Sequence, residues 1–395
     1  MSLDTFREET RDWLESNVPQ SMRNRTLHFE DAYETYNTDE AHEWRDRAAG
    51  RGWIAPTWDT KYGGGGLDRQ QDQVLAQEMA AIKALPPATG MGLALIGPTL
   101  LEFGTEDQKM RHLPAITSDQ VVWCQGYSEP GAGSDLASLR TRAELQGDHF
   151  VINGQKIWTS GGDRADWMFC LVRTDPSAPK HDGISFVLLP MDQEGVTVKP
   201  IALISGSSPF CETFFDNALA RKDDLIGEMN KGWTVAKRLL QYERSGAARS
   251  AGPAPKRKQK PMLNAYAQLA KDYLGESNGK IADAPMRATI LDHVMQERAL
   301  GLTATRTVEE SKSSGAPGAA TSIFKYVGST LAKNSAELKS QIRGTSGLAW
   351  EGVGFSEDEL DSTRDWLRDR AVTIYGGTNE VQLNIIAKRV LGLPD

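Results

Sequence analysis

Apolar residues in the first third of the chain recur at the three- to four-residue spacing of amphipathic helices. The spacing is clear over 70–83 and at the N-terminus, where Leu3, Phe6 and Trp13 stand among charged residues. Such a period places the apolar side chains on one face of a helix. The pattern predicts that the chain is mostly helical as far as about residue 117.

The hydrophobic pattern changes over 121–227, where short apolar runs are separated by Gly, Pro and Asp. A hairpin is predicted around the Gly147-Asp148 turn, and apolar runs follow over 167–172 and 184–189. Apolar runs this short, bounded by turn residues, are typical of strands. The pattern predicts a compact sheet or barrel in the middle of the chain.

Long helical patterns return after Gly227, and their lengths suit an antiparallel bundle. The Pro- and Lys-rich segment 250–261 is the best candidate for a long mobile loop inside the bundle region. The predicted domains are therefore a helical domain over 1–120, a β domain over 121–227 and a helical bundle over 228–395. The helical patterns of the bundle cover 232–248, 285–312, 321–343 and 378–391.

Composition narrows the class of protein. The chain has 395 residues with ordinary apolar and charged fractions, which allows two or three domains with large cores. A formal net charge of -8 gives no general attraction for nucleic acid, so nucleic acid is excluded as an expected partner. No segment reads as a signal peptide or a membrane span, so no membrane partner is expected.

The three cysteines, Cys124, Cys170 and Cys211, are scattered along the chain with no close pair. Their spacing argues against a disulfide framework and a cysteine zinc site, and it fits a reduced compartment. The histidines show no pair at metal-ligand spacing either. We therefore expect a cytoplasmic protein without a metal site.

Two polar, glycine-containing stretches stand out within the β domain, at 126–135 and 153–160. They offer hydroxyls, glycines and the indole of Trp158 on pieces of backbone predicted to be neighbours. Hydrogen-bonding groups beside an aromatic wall suit a flat polar heterocycle such as a flavin. The alternative is a plain barrel turn beside a core tryptophan.

The same stretches, Ser128 to Asp135 and Trp158 to Ser160, closely resemble the flavin-binding middle domain of the acyl-CoA dehydrogenases. The resemblance covers most of the chain. It implies a mainly α protein with a helical N-terminal domain, a β-barrel middle domain and a C-terminal four-helix bundle. It continues through Asp166-Trp167, Arg173-Thr174-Asp175, Gly183-Ile184-Ser185, Phe214-Phe215-Asp216, Ile226-Gly227 and Tyr375-Gly376-Gly377-Thr378.

The resemblance implies FAD as the cofactor. On the matching positions Ser128 and Ser160 would hydrogen-bond the polar edge of the flavin, and Trp158 would lie against the ring. Two departures are Tyr127, where an aliphatic residue is usual, and Glu380, where many relatives have Gln. The implied cofactor-binding residues are Gln125, Ser128, Gly133, Ser134, Trp158, Thr159 and Ser160 in the β domain, and Gln341, Gly344, Thr378 and Glu380 in the bundle.

The segment 341–348 resembles the part of the bundle that reaches the adenosine-diphosphate half of FAD bound to a neighbouring subunit. This implies an oligomer, either a homodimer or homotetramer or a heterotetramer with a related subunit. The alternative is a helix end capped by Gly344 or Gly347. An Arg-x-x-Phe-Gly-like stretch, which reaches the FAD pyrophosphate in many relatives, is not found.

The catalytic base is implied at an uncommon position. Many relatives carry it as the second residue of Tyr-Glu-Gly-Thr, but the matching position here is Gly376. Other relatives carry the carboxylate on a bundle helix just before an arginine, and Gln241-Tyr242-Glu243-Arg244 matches that arrangement. Glu243 is therefore the expected base, unless Glu243 and Arg244 form only a solvated pair on a helix surface.

The Gly376 backbone N–H is expected to polarise the thioester carbonyl, since a backbone donor survives loss of the side chain. The expected substrate-binding residues are Ser134, Tyr242, Arg244 and Gly377.

The implied activity is FAD-dependent α,β-dehydrogenation of an acyl-CoA thioester to the trans-2-enoyl-CoA, with electrons passed to an electron-transfer flavoprotein. One alternative is a non-catalytic or co-catalytic subunit of a heteromeric acyl-CoA dehydrogenase. Another is an oxygen-using flavoenzyme on the same fold.

Overall fold

The computed structural model describes residues 2–25, 32–250, 262–314 and 321–394, with the side chains of 243–250, 262–264, 308–314 and 321 left out. The chain divides into two compact units. The first unit contains Met1–Ile201 and Ser208–Pro255, and the second contains Ala202–Ser207 and Lys256–Asp395. The predicted loop over 250–261 lies outside the described residues except for Ser250.

The N-terminal part is helical, as predicted. Helices α1, α3, α4 and α6 begin at polar residues that accept hydrogen bonds from free backbone N–H groups. One of these residues, Asp68, forms a reciprocal capping box with Gln71. Apolar residues on their inner faces, including Leu14, Trp44 and Leu75, form one buried cluster. The helices are α1 (Leu3–Asn17), α2 (Ala32–Tyr36), α3 (Asp39–Gly50), α4 (Arg69–Ala81), α5 (Gly97–Phe103) and α6 (Glu106–Thr117).

A curled, seven-stranded sheet follows. The predicted hairpin is confirmed, since β2 pairs with β3 in antiparallel fashion and Leu145 lies opposite Phe150. The order of hydrogen-bonded strands is β1-β4-β2-β3-β7-β6, and β5 pairs with β4. The strands are β1 (Trp123–Gly126), β2 (Arg142–Gln146), β3 (His149–Ser160), β4 (Trp167–Arg173), β5 (Ile184–Pro190), β6 (Val196–Ile201) and β7 (Phe210–Arg221).

Strands β4 and β5 are almost continuously apolar because both of their faces are buried. Phe169 and Leu171 face a cluster shared with the N-terminal helices. Their neighbours Met168 and Cys170 face the other side of the sheet, where they pack with Phe150. The mainly helical fold with a curled β domain in the middle is therefore confirmed.

Helix α7 (Gly232–Ser250) belongs to the first unit. It begins against β5, where a Cβ on Gly232 would stand 2.4 Å from the Phe186 nitrogen. No other residue would allow the helix to approach the strand this closely. The first helix of the predicted bundle is thereby fixed to the sheet.

The second unit holds the remaining helices around a core that includes Tyr266, Ile290 and Leu338. Two of them, α8 and α11, were not predicted from the sequence. The pattern predicted over 378–391 is an α-helix that continues as a π-helical segment, Ile386–Val390. The elements are α8 (Met262–Leu274), the short strands β8 (Glu276–Ser277) and β9 (Lys280–Ile281), α9 (Ala284–Ser314), α10 (Thr321–Arg343), α11 (Glu357–Arg368) and α12 (Asn379–Ile385).

Three negative observations concern the described part of the chain. No helix there is both long and apolar enough to cross a membrane. No three His, Cys, Asp or Glu side chains among those described are grouped so that they would hold a metal ion. The three cysteines are buried and free.

Candidate active site

The two polar stretches of the β domain lie side by side. The Ile157 N–H donates to the Ser128 carbonyl oxygen at 2.9 Å, which joins the segment after β1 to the end of β3. Ser128 and Ser160 are half-buried. The structure therefore brings together the hydroxyls and the tryptophan that the sequence pattern singled out.

A buried ion pair fixes this junction. Lys156 is fully buried, and its Nζ lies 2.8 Å from Glu129 Oε1 and donates to the Tyr127 carbonyl at 3.1 Å. The Glu129 carboxylate also accepts from the N–H groups of Arg140 and Thr141 at 2.7 and 2.9 Å.

Burial alone would raise the pKa of Glu129, but the Lys156 ammonium and these hydrogen bonds outweigh it and lower the pKa. Sequence analysis missed this pair, although both residues stand inside the recognised stretches. The available signal was one charged residue in each of the two stretches assigned to the same pocket. Buried charges are usually paired, so a contact between these two residues could have been predicted.

Trp158 is turned outward by an irregularity in β3. The pairing of β3 with β7 shifts between Lys156 and Thr159, so that β3 carries one extra residue. Trp158 adopts a left-handed backbone conformation with φ of +62° and is 52% exposed. Its indole meets the Phe210 ring edge-on at 6.0 Å and leaves a face for a ligand.

The segment from β1 to Gly133 offers groups that suit a flat heterocycle with an acceptor edge. A Cβ on Gly131 or on Gly133 would meet no atom within 4 Å, so both backbone positions border open space. The Gln125 side-chain nitrogen is buried and has no hydrogen-bond partner among the described residues. A buried donor of this kind requires an acceptor. The residues present therefore fit a flavin ring.

The other predicted residues of this region differ in what their side chains do. Thr159 is fully buried, and its hydroxyl accepts from the Thr213 hydroxyl at 3.2 Å. Ser134 is exposed, as is Gly133. Tyr127, the departure from the family pattern, is buried with its ring edge-on to Phe169 at 6.0 Å.

Helix α7 carries the expected base. Glu243 and Arg244 lie within its last turns, and their side chains are outside the described residues. The Tyr242 hydroxyl donates to the Glu102 carboxylate of α5, and Arg238 Nε donates to the same group at 2.8 Å. Burial and this hydrogen bond raise the pKa of Tyr242. The turn before Glu243 is thus attached to α5.

In the second unit, the segment Tyr375–Thr378 is an exposed turn before α12. Gly376 and Gly377 have φ of +65° and +91°, values that favour glycine. The Thr378 hydroxyl accepts from the Val381 N–H at 3.2 Å and caps α12, and Glu380 is exposed in the first turn of that helix. The Thr378 hydroxyl therefore has a structural role in α12.

Gln341 and Gly344 border a cavity of about 290 Å³ at the C-terminal end of α10. Gln341 donates to Glu337 at 3.3 Å. Gly344 has φ of +58°, so α10 ends at a glycine, as the alternative of a glycine-capped helix end predicted. Sequence analysis did not single out Thr363 and Trp366, because α11 was not predicted. The cavity is lined by Glu337, Ser340, Gln341, Gly344, Gly347, Leu348, Thr363 and Trp366.

Sequence analysis also missed Lys271, in the last turn of α8. Lys271 precedes Leu274-Gly275 with the spacing of Arg-x-x-Phe-Gly, but both side chains of that pattern are replaced. Its Nζ pairs with Glu276 Oε2 at 2.7 Å. The signal in the sequence was the Leu274-Gly275 pair. It is recognisable as a helix end only when the structure shows that α8 ends at Leu274.

Models of the three acyl-CoA dehydrogenase domains match the chain in order. The N-terminal domain matches residues 2–120, the middle domain 124–218 and the C-terminal domain 230–391.

Two curated relatives come from Mycobacterium tuberculosis. The chain is 36% identical to acyl-CoA dehydrogenase IpdE1 over 99% of its own length and 98% of that protein. It is 35% identical to acyl-CoA dehydrogenase FadE34 over 88% of its length and 45% of that protein.

Solved structures of the same fold include two whose descriptions name a pair of chains. The "Tcur3481-Tcur3483 steroid ACAD" matches with a TM-score of 0.75 and 29% identity, over 99% of this chain and 97% of that one. The ChsE4-ChsE5 complex from Mycobacterium tuberculosis matches with a TM-score of 0.70 and 27% identity, over 100% and 98% of the two chains.

Proposed function

The chain belongs to the acyl-CoA dehydrogenase family, and from this membership we propose an FAD-dependent enzyme that converts an acyl-CoA thioester to the trans-2-enoyl-CoA. The electrons then pass to an electron-transfer flavoprotein. The observation that supports the proposal best is the hydrogen bond from the Ile157 N–H to the Ser128 carbonyl oxygen, since it holds the Ser128 segment beside the strand that carries Trp158 and Ser160.

FAD, when bound, supplies the acceptor for the hydride that leaves the β-carbon. Ser128, Ser160 and the Gln125 amide would hold its polar edge, and Trp158 would cover its face. The Gly133 backbone would line the same surface, and Thr159, which is buried and lies between Trp158 and Ser160 in the sequence, is the further residue proposed for the cofactor site. Ser134, which is exposed beside them, would bind the thioester arm of the substrate.

Glu243 is proposed to take the α-proton, which needs a carboxylate because position 376 offers none. The proton moves from the α-carbon to a Glu243 carboxylate oxygen as hydride leaves the β-carbon for the acceptor that FAD would supply. The Gly376 backbone N–H polarises the thioester carbonyl. Tyr242, Arg244 and Gly377 contribute to the substrate site.

The adenosine-diphosphate half of FAD is assigned to the bundle. Gln341 and Gly344, beside the cavity at the end of α10, would contact it across a subunit interface. Thr378 and Glu380 would also touch the cofactor. Lys271 takes the place of the missing arginine, since it has the same charge and the same spacing from a Leu-Gly pair at a helix end. Lysine binds phosphate as a point charge.

The acyl group is proposed to be bulky, such as the acyl side chain of a steroid. Gly376 leaves open the volume that a glutamate occupies in many relatives, and one of the similar structures is described as a steroid acyl-CoA dehydrogenase.

A heteromeric assembly is the second candidate, in which this chain is one of two related subunits. Two similar structures are described as pairs of different chains, and the segment 348–355 of the second unit exposes Leu348, Val353 and Phe355. Exposed apolar side chains in one segment are typical of a protein interface.

An anaerobic titration of the purified chain with a panel of acyl-CoA thioesters tests the function. We expect a yellow protein whose flavin absorbance is bleached by bulky acyl-CoA esters, with the enoyl-CoA formed in equal amount. Protein that lacks flavin and gains it only with a related subunit would favour the heteromeric candidate. A flavin that no ester bleaches, in either form, would overturn the proposal, and rapid reoxidation in air would identify an oxygen-using enzyme.

A further inference from the structure

The space left open at Gly376 borders an ammonium group from another helix. A Cβ at this position would lie 3.9 Å from both Cε and Nζ of Lys325, on α10. Many relatives begin a glutamate side chain here, whereas this chain has a cation at ordinary contact distance from the empty position. Lys325 is half-buried.

Lys325 holds the turn that contains Gly376 at two points. Its Nζ donates to the Val372 carbonyl oxygen at 2.6 Å, and the same ammonium lies 4.9 Å from the centre of the Tyr375 ring. The Lys325 ammonium therefore holds the turn at two residues, Val372 through a hydrogen bond and Tyr375 through a cation–π contact. Both contacts lie within the second unit.

The turn needs such support because its own backbone gives little. Gly376 and Gly377 are consecutive residues with positive φ, and both Tyr375 and Gly376 are exposed. Among the described residues, the Gly376 N–H has no backbone acceptor, while the N–H of Tyr375 bonds to Ala371 at 3.2 Å. The donor is thus free for a ligand, and its direction depends on how the turn is held.

We propose that Lys325 is a positioning residue for the thioester carbonyl, an inference that rests on the proposed function. It fixes the turn so that the Gly376 N–H is directed at the carbonyl oxygen. It also places a positive charge beside the Gly376 position, where negative charge would grow on the carbonyl oxygen that this N–H binds. Preorganised charge of this kind stabilises the enolate-like transition state more than the bound substrate.

The test compares Lys325→Met with Lys325→Arg, and with Lys339→Met as a control on an exposed lysine of the same helix. We measure flavin reduction at saturating acyl-CoA, substrate affinity and FAD content. We also titrate a bound acyl-CoA analogue that loses its α-proton but cannot be oxidised, followed by its long-wavelength charge-transfer absorbance. A merely structural role would not move the pH midpoint of this titration.

Lys325→Met is expected to slow reduction about tenfold or more, because removing a preorganised donor or charge costs at least this much. Substrate affinity and FAD content should change little, and the analogue should ionise at higher pH. Lys325→Arg should restore much of the rate, and Lys339→Met should match the unchanged protein. If Lys325→Met does not fold, Lys325→Gln decides, because it keeps an N–H donor on the side chain and removes the positive charge.

The inference is overturned if the unchanged protein is bleached by substrate and the charge-removing variant keeps the midpoint, whether or not its reduction is slower. A protein whose flavin no acyl-CoA bleaches would instead overturn the proposed function, and the two failures are therefore distinguishable.

Discussion

The ammonium of Lys156 and the carboxylate of Glu129 face each other at 2.8 Å, with side-chain exposures of only 0% and 8%. The pair joins β3 to the turn after β1, the two segments assigned to the flavin. Buried charges on both sides of a junction are stable only together, since either one alone would stay desolvated without a partner. The junction is therefore sensitive to loss of either charge.

Lys156→Met is expected to lower the free energy of unfolding by about 3–5 kcal/mol, because it leaves the Glu129 charge buried without its partner. Urea unfolding of the flavin-free protein measures the change. Lys180→Met is the matched control, since Lys180 pairs with Asp135 at the surface, and its cost should stay below about 1 kcal/mol. Equal losses of unfolding free energy in the two variants would contradict the assignment of Lys156 and Glu129 as a buried ion pair.

Asp119 is expected to make stability fall as pH rises. Burial raises the pKa of Asp119 to about 6, with nearby Arg45 opposing the shift. The folded state thus binds the proton more tightly than the unfolded state, and this contribution is lost between about pH 4 and the folded pKa. Asp119→Asn should raise the melting temperature at about pH 7.5 and leave it nearly unchanged at about pH 4. A rise of equal size at both values would contradict the sign.

Trp158→Ala is expected to weaken FAD binding by about three- to tenfold, the amount that an aromatic contact contributes. The indole is 52% exposed, so the flavin-free protein should melt at nearly the same temperature as before. Quenching of flavin fluorescence gives the affinity, and calorimetry gives the control. Lower stability with unchanged affinity would assign Trp158 to the fold alone.

Glu243→Gln is expected to leave FAD bound and to slow substrate bleaching by about 10²–10⁴-fold, the usual contribution of a general base. Glu228→Gln is the control, because Glu228 is an exposed carboxylate just before α7. Anaerobic stopped-flow absorbance measures both variants. Bleaching at the original rate in Glu243→Gln would remove this residue from the mechanism.

Long periodic patterns made most of the fold predictable. The pattern over 321–343 coincides with α10, and the apolar run over 167–172 lies within β4 (Trp167–Arg173), because buried faces repeat the period of their element. Helix α11 was missed because its exposed surface is rich in charged residues and few apolar positions mark its inner face. Helix α8 was missed because it directly follows the Pro- and Lys-rich segment, which predicted a loop.

The candidate site was predictable as a set of residues but not as an arrangement. The motifs identified Ser128 and Trp158, yet the bulge that turns Trp158 outward depends on how β3 is paired with β7, which lies more than fifty residues away. Lys325 carried no local signal at all. Its place beside Gly376 arises only when α10 packs against the turn before α12.

Helix α7 is part of the same compact unit as the curled sheet. On the proposed assignment, the proton acceptor and the surface that binds the electron acceptor therefore belong to one compact unit. Mutations that reshape the second unit can alter the choice of acyl group while leaving that pair intact. On the same assignment a carboxylate at position 376 is dispensable, and the glycine there leaves room for a larger acyl group.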